Sequence, residues 1–202
     1  MVNKLGHANL ADEVRERVLA AALARFSQYG YNKTTMAEIA KDCAMSAANL
    51  YRFFEDKQAI GAALARRTLA EKERRLRDVV VQSELDAHQR LEAFARTLFR
   101  FNYEQFHDKP RIGELVEMIS RERADIIGEH KEVTRSLLAT VLAQGNESGE
   151  FDIGDPSASA ETVLVATTIF CVPYFLHWYS EEKFEQLFKQ MMQLIERGLE
   201  KR

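Results

Sequence analysis

From residue 10 to 80 the apolar side chains recur at three- and four-residue intervals, the period of helices packed on one side. Val14, Val18, Ala21, Ala22 and Phe26 form one stripe. They predict a helix opening at Asn9 or Asp12 and running to about Tyr29, where Gly30 stops it. Residues 1 to 8 read as a loose tail, whose Lys4 can reach a polyanion. Two short helices follow over 35–54. Thr35 and Glu38 have capping-box spacing, and Ile39 and Ala40 point inward. Asp42 to Met45 supplies a turn, and Ser46 caps the next helix. Leu50, Phe53 and Phe54 then form its inner face, leaving Ala47, Ala48, Asn49, Tyr51 and Arg52 outside. Asp56 caps a fourth helix that continues through Ile60, Leu64, Leu69 and Leu76 to about Val81. Further helices are expected near 86–107, 110–122, 123–146, 156–178 and 181–200. Pro110 and Pro156 sit in first turns, and Gln144 to Asp155 is the clear loop. The chain therefore reads as all-α with about nine helices. A three-helix segment, 9–56, takes with it the start of the linking helix, to about residue 70. A helical body follows over 57–202.

Two short helices crossing through a tight turn make a helix-turn-helix, whose second helix fits a DNA major groove. Small side chains at Ala47 and Ala48 permit close approach. Asn49 has the donor and acceptor that adenine requires, Arg52 reaches guanine or phosphate, and Tyr51 suits a phosphate. Thr34 and Thr35 stand at a helix start where amides and hydroxyls bind phosphate. Lys57 in the first turn of the fourth helix opposes the helix dipole, which an anion would relieve. From spacing alone a plain helical hairpin inside an all-α domain fits equally well.

Thr35, Ile39-Ala40, Ser46, Leu50-Tyr51, Phe54 and Lys57 resemble, in type and order, the DNA-binding domain of TetR-family transcriptional regulators over about residues 11 to 70. The resemblance implies a ligand-responsive regulator, a repressor released from a palindromic operator by a small-molecule effector; the cysteine usage leads to the expectation of a cytoplasmic protein. It also implies a homodimer formed through the last two helices, and an effector pocket under the fourth helix. Two positions depart from the family pattern. The turn glycine is Ala44, where a left-handed backbone costs about 1 kcal/mol. The pair before Leu50-Tyr51 is Ala48-Asn49, so base contacts of other members do not carry over.

Charge changes the picture only when the chain is divided. The net charge of −3 hides a basic segment, 1–77, with 14 Lys+Arg against 9 Asp+Glu, and an acidic remainder with 14 against 22. The basic segment can be steered to phosphate. Much of its excess lies on one helix at Arg66, Arg67, Lys72, Arg74, Arg75 and Arg77. Beyond Arg67 these read as a solvated face, because the helix rises out of any groove. Cys43 and Cys171 are far apart, which excludes a disulfide framework and suits reduced thiols.

In the body, Leu98, Phe101, Asn102, Tyr103, Phe106, His107, Met118, Phe170, Tyr174 and His177 are candidates to line a pocket, with plain core as the alternative. Asn102 stands out, since an amide in an apolar stripe needs a partner. The last two helices are apolar nearly all round, which calls for cover from a second copy. Val163, Phe170, Trp178, Phe188, Met191 and Ile195 are the candidate dimer contacts. Five histidines lack metal spacing, and no phosphate loop or nucleophile elbow occurs. Glu114, Glu117, Glu122 and Asp125 sit among arginines as surface ion pairs. No cofactor, metal or enzymatic activity is expected. The rival readings are a helical small-molecule sensor that has lost DNA binding and an all-α enzyme.

Overall fold

Capping chemistry sets where the helices begin. The computed structural model describes the backbone of residues 3–200 and the side chains of 10–173, 175 and 177–200. Its helices are α1 (Asn3–Tyr29), α2 (Met36–Asp42), α3 (Ala47–Leu50), α4 (Lys57–Val80), α5 (Ala87–Phe106), α6 (Ile112–Glu122), α7 (Ala124–Ser148), α8 (Pro156–Ala166), α9 (Thr168–Cys171) and α10 (Glu181–Leu199). A 3₁₀ turn covers Pro173–His177. The protein is all-α. Thr35 and Glu38 form the full capping box of α2, and Ser46 accepts the Asn49 amide at α3. Asp56 accepts the Ala59 amide of α4 at 2.7 Å, and Asp155 with Pro156 opens α8. α1 begins at Asn3, so the expected tail 1–8 is helical from its third residue; the side chain of Lys4 lies outside the described residues.

The described residues divide into two compact units. The first comprises residues up to Thr68 with Lys109–Ile126, so α6 belongs with α1, α2, α3 and the start of α4. Its core holds Val18, Phe26, Ile39, Leu50, Phe54 and Ile60. Gly30 ends α1 at φ +92°, a conformation that side chains resist. The carboxylate of Glu114 fills the space beside Gly30 and accepts the Asn32 amide at 3.0 Å.

The second unit comprises Leu69–Asp108 with the residues from Ile127 on. Phe99 sits at its centre, stacked on Phe188 at 5.5 Å between ring centroids and edge-on to Phe170 at 5.8 Å. Such aromatic pairs add about 0.5–1.5 kcal/mol beyond their buried area. Two expectations fail in this unit. The helix expected over 156–178 is broken at Thr167 and again at Val172. Pro173 has no amide to donate and drives Val172 into an extended conformation, φ −114° and ψ 124°. The expected loop from Gln144 is shorter, because α7 runs to Ser148. Gly145 stays helical and lets the Phe151 ring pack where its Cβ would be, and Gly149 ends the helix at φ +80°. α6 starts at Ile112, two residues after Pro110.

Candidate nucleic-acid interface

The first unit orients α3 by holding its back. Leu50 is fully buried and Phe54 nearly so. Arg15 donates to the Phe53 carbonyl at 2.7 Å and lies over the Phe54 ring at 4.4 Å, which fastens the end of α3 to α1. Arg25 pairs with Asp42 and Glu38, tying α1 to both ends of α2. In the turn Ala44 takes φ +54°, the left-handed conformation usually left to glycine. The turn geometry is thus kept despite the alanine.

The outer side of α3 is open. Tyr51 is 54% exposed, and Ser46, Ala48 and Arg52 are exposed as well. Ala47 and Asn49 are half-buried. Arg52, Lys33 and Lys41 are exposed and form no ion pair among the described residues. Lys33 stands two residues before the α2 cap, and Lys41 is in the last turn of α2. Sequence reasoning passed over both lysines; Lys33 has no acidic residue three or four positions away, and the Glu38 three positions before Lys41 is spent on the Thr35 cap and Arg25.

Several expected contacts turn inward instead. Thr34 is buried, its hydroxyl donating to the Gly30 carbonyl at 2.8 Å and its amide to the Tyr31 carbonyl. Thr35 is exposed, but its amide donates to the Glu38 carboxylate at 2.8 Å, so an acidic group already occupies that helix start. The Lys57 ammonium donates to the carbonyls of Tyr31 at 2.7 Å and Thr34 at 2.8 Å, and lies over the Tyr31 ring at 4.3 Å. Lys57 therefore relieves its opposition to the α4 dipole with backbone oxygens of the chain itself. Burial pushes its pKa below the ordinary value, with Glu114 the main opposing influence. Arg66 pairs with Asp125 and Arg67 with Glu16, which takes them out of the basic excess. Burial also raises the Cys43 thiol's pKa.

Profiles of two protein groups match this chain. "Bacterial regulatory proteins, tetR family" covers residues 18–64, which contain α2, α3 and their turn. "Tetracyclin repressor-like, C-terminal domain" covers residues 87–192, more than half of the chain. The chain belongs to the TetR family. It is a DNA-binding transcriptional regulator with a helix-turn-helix of that family. A Mesorhizobium loti protein described as a putative TetR-family regulator superposes with a TM-score of 0.76 at 17% identity, over 95% of this chain and 98% of that one. The fatty acid degradation regulator FadR of Bacillus halodurans gives 0.70 at 19%, over 90% and 93%. The ketosteroid regulator KstR2 of Mycobacterium tuberculosis gives 0.63 at 24%, over 93% and 95%. At these identities the three share the TetR fold with this chain. No curated protein matches the sequence.

The body of this TetR-family chain departs from expectation in three places. Leu98, Phe101, Asn102 and Phe170 are buried in the second unit, and Tyr103 and Phe106 are half-buried. His107 and His177 are exposed, so they line no interior space, and Met118 belongs to the first unit, covering Gly61. The side chain of Tyr174 lies outside the described residues. Among the expected dimer contacts, Val163, Phe170 and Phe188 are spent on the chain's own core, while Met191 and Ile195 are half-buried and Trp178 is 57% exposed. The fully outward apolar residues of α8 and α10 are Val165 and Leu194. Lys72, read as part of a solvated face, is buried. Among the described residues no group of histidine, cysteine and carboxylate side chains is arranged to hold a metal, and no helix is long and apolar enough to cross a membrane.

Proposed function

We propose that the protein is a repressor that binds a palindromic operator as a homodimer and is released by a small-molecule effector held in its second unit. The observation that carries the DNA-binding part is the open outer side of α3 on a fixed, apolar back. Asn49 and Arg52 are the proposed base readers. Ser46, Ala47, Ala48, Tyr51, Thr35, Lys33 and Lys41 supply close approach and phosphate contacts. The reading head is 9–56, and 57–202 is the effector-binding and dimerising body. Val165, Leu194, Trp178 and the half-buried Met191 and Ile195 are the surfaces offered to a second copy. Two-fold symmetry then spaces the α3 helices by about 34–36 Å or a multiple, one DNA turn.

α4 runs through both units, so an effector that favours one of its positions changes the spacing of the two reading heads. The change in operator affinity equals the effector's preference between the two states and no more. The test is selection from random duplexes followed by anisotropy titrations across salt. An enriched palindrome is expected. Arg52→Ala and Asn49→Ala should each lose about 1–3 kcal/mol on it, and Lys33→Ala should lower the salt slope by about 1. A pool with no enriched palindrome would leave a small-molecule sensor without an operator.

A further inference from the structure

Four helices of the second unit meet around polar atoms that no described residue satisfies. Lys72 on α4 is buried and has no hydrogen-bond acceptor among the described residues; its nearest aromatic neighbour is Phe101, 5.5 Å from ring centroid to ammonium. The closest carboxylate is already committed, since Glu73 binds His130 at 2.9 Å and Arg77 at 3.3 Å. Asn102 on α5 is 1% exposed. Its amide nitrogen donates to the Cys171 carbonyl of α9, while its Oδ1 has no donor. Thr134 is buried with a hydroxyl that has no partner, and it lies one turn beyond His130 on α7. Lys72 faces the ring of Phe101, the residue before Asn102; Glu73, the residue after Lys72, binds His130 one turn before Thr134; and Asn102 reaches Cys171, which ties the four elements to one locus. Native interiors rarely tolerate one such atom without a reason, because an unpaired buried polar group costs as much as the bond it lacks.

We infer that Lys72, Thr134 and Asn102 form the head-group subsite of the effector and that this head group is an organic carboxylate. The inference rests on the proposed role of the second unit as the effector-binding body. The ammonium and the Thr134 hydroxyl supply donors to one carboxylate, and Asn102 Oδ1 takes a hydroxyl or amide N–H on the same molecule. A single buried ammonium matches a single negative charge. A phosphate would need a second cation, and Arg75, over the same Phe101 ring, is held by Glu71 and Glu104. The buried Phe101 ring that faces Lys72 calls for an apolar body on the ligand. Burial brings the Lys72 pKa down to about 8, so at pH 7 the amine is still mostly protonated.

The test measures the melting temperature of the full chain at pH 7, without DNA. The probes are straight-chain acids from butanoate to dodecanoate and benzoates with and without a hydroxyl, each beside its neutral amide. At saturating probe the best acid is expected to raise Tm by about 2–4 °C more than its amide. Lys72→Met should erase that difference while leaving the ligand-free protein folded. The near-isosteric Thr134→Val should weaken the acid's Kd several-fold. The inference is overturned if no acid outperforms its amide in the unaltered protein, which is the result expected if buried water alone serves these atoms. It is equally overturned if the acid preference survives in Lys72→Met. Operator titrations run separately keep the two readings apart. Specific DNA binding with no acid preference sinks the subsite alone. An acid that binds without shifting operator affinity supports the subsite and sinks release by effector.

Discussion

The two units treat buried polar groups in opposite ways. In the first, no buried side-chain polar atom among the described residues lacks a partner; in the second, Arg90 Nε, Asn102 Oδ1 and Thr134 Oγ1 do. Two lysines on the same helix show the contrast. Lys57 gives its ammonium to backbone carbonyls and an aromatic face, and so fixes the loop that leads into α2. Lys72 is more deeply buried and has no acceptor among the described residues. A unit that presents α3 to a rigid duplex gains from having every group committed in advance. A unit that answers to a ligand must leave something for the ligand to complete. The buried deficits are therefore concentrated where the proposed effector acts, and they are absent where the proposed reading head is held.

That contrast breaks most visibly at the two lysines, whose removal should change stability in opposite directions. Lys57→Met leaves the Tyr31 and Thr34 carbonyls without their donor and should lower stability by about 3 kcal/mol in urea unfolding. Lys72→Met removes a buried charge with no hydrogen-bond acceptor among the described residues and should raise it by about 2 kcal/mol. The pH dependence follows from the sign of the shift. Lys72 has its pKa depressed from 10.5 to about 8 in the folded chain, so the unfolded chain binds the proton more tightly between those values. The penalty is full below about pH 8 and fades as pH rises toward 10.5, and the advantage of Lys72→Met should fade with it. Cys171, Glu73 and His130 are the ionisable groups nearest Lys72, and both proteins keep them. If the two substitutions move stability in the same direction, the division between the units is not one of polar satisfaction.

Local chemistry along the chain was legible where it is written within three or four residues. Thr35 with Glu38, Ser46 and Asp56 all read correctly as helix starts, as did Pro156 in a first turn, and of the inner stripe Leu50 and Phe54 are buried and Phe53 half-buried. What depended on distant partners did not read. The acceptors of Lys57 lie 23 and 26 residues earlier in the chain, and no spacing rule reaches them. Lys72 could have been found. It falls three residues after Leu69 and four before Leu76, on the buried stripe, but three neighbouring arginines made the segment look solvated. For α8 to α10 the difficulty was different in kind. A helix apolar on every side does not say which side its own core takes, so Phe170 and Phe188 were assigned to a partner. Pro173 was visible as a helix breaker, yet the apolar run on both sides of it argued for continuity.

A smaller contrast concerns two glycines, one in a long helix of each unit. A Cβ at Gly145 would lie 2.1 Å from Cδ2 and 2.9 Å from Cγ of Phe151, inside a ring that cannot fold away. Gly145→Ala should therefore cost about 1.5 kcal/mol despite the better helix propensity of alanine. At Gly61 the Cβ would meet the methyl of Met118 at 2.7 Å and a methyl of Leu115 at 3.0 Å, both ends of flexible side chains. Gly61→Ala should be close to neutral, because the propensity gain of about 1 kcal/mol offsets the shift. Thermal melts of the pair read the difference directly. Equal losses would mean that the interior of the first unit is as unyielding at Met118 as the second is at Phe151.

The smallest effect tests the one conformational strain seen in the first unit. Ala44 holds φ +54° in the turn between α2 and α3. A Cβ in that region is crowded by its own backbone, whereas glycine adopts it freely. Replacement also loosens the unfolded chain, which offsets part of the relief. Ala44→Gly should leave a net gain of about 1 kcal/mol, read as a higher urea midpoint with unchanged slope. Because Cys43 and Met45 keep their amide bonds to the Ala40 carbonyl, α3 should present the same face and operator affinity should not change. A change in slope or in affinity would show that the alanine does more than endure the turn, and that the reading head is less fixed than its hydrogen bonds imply.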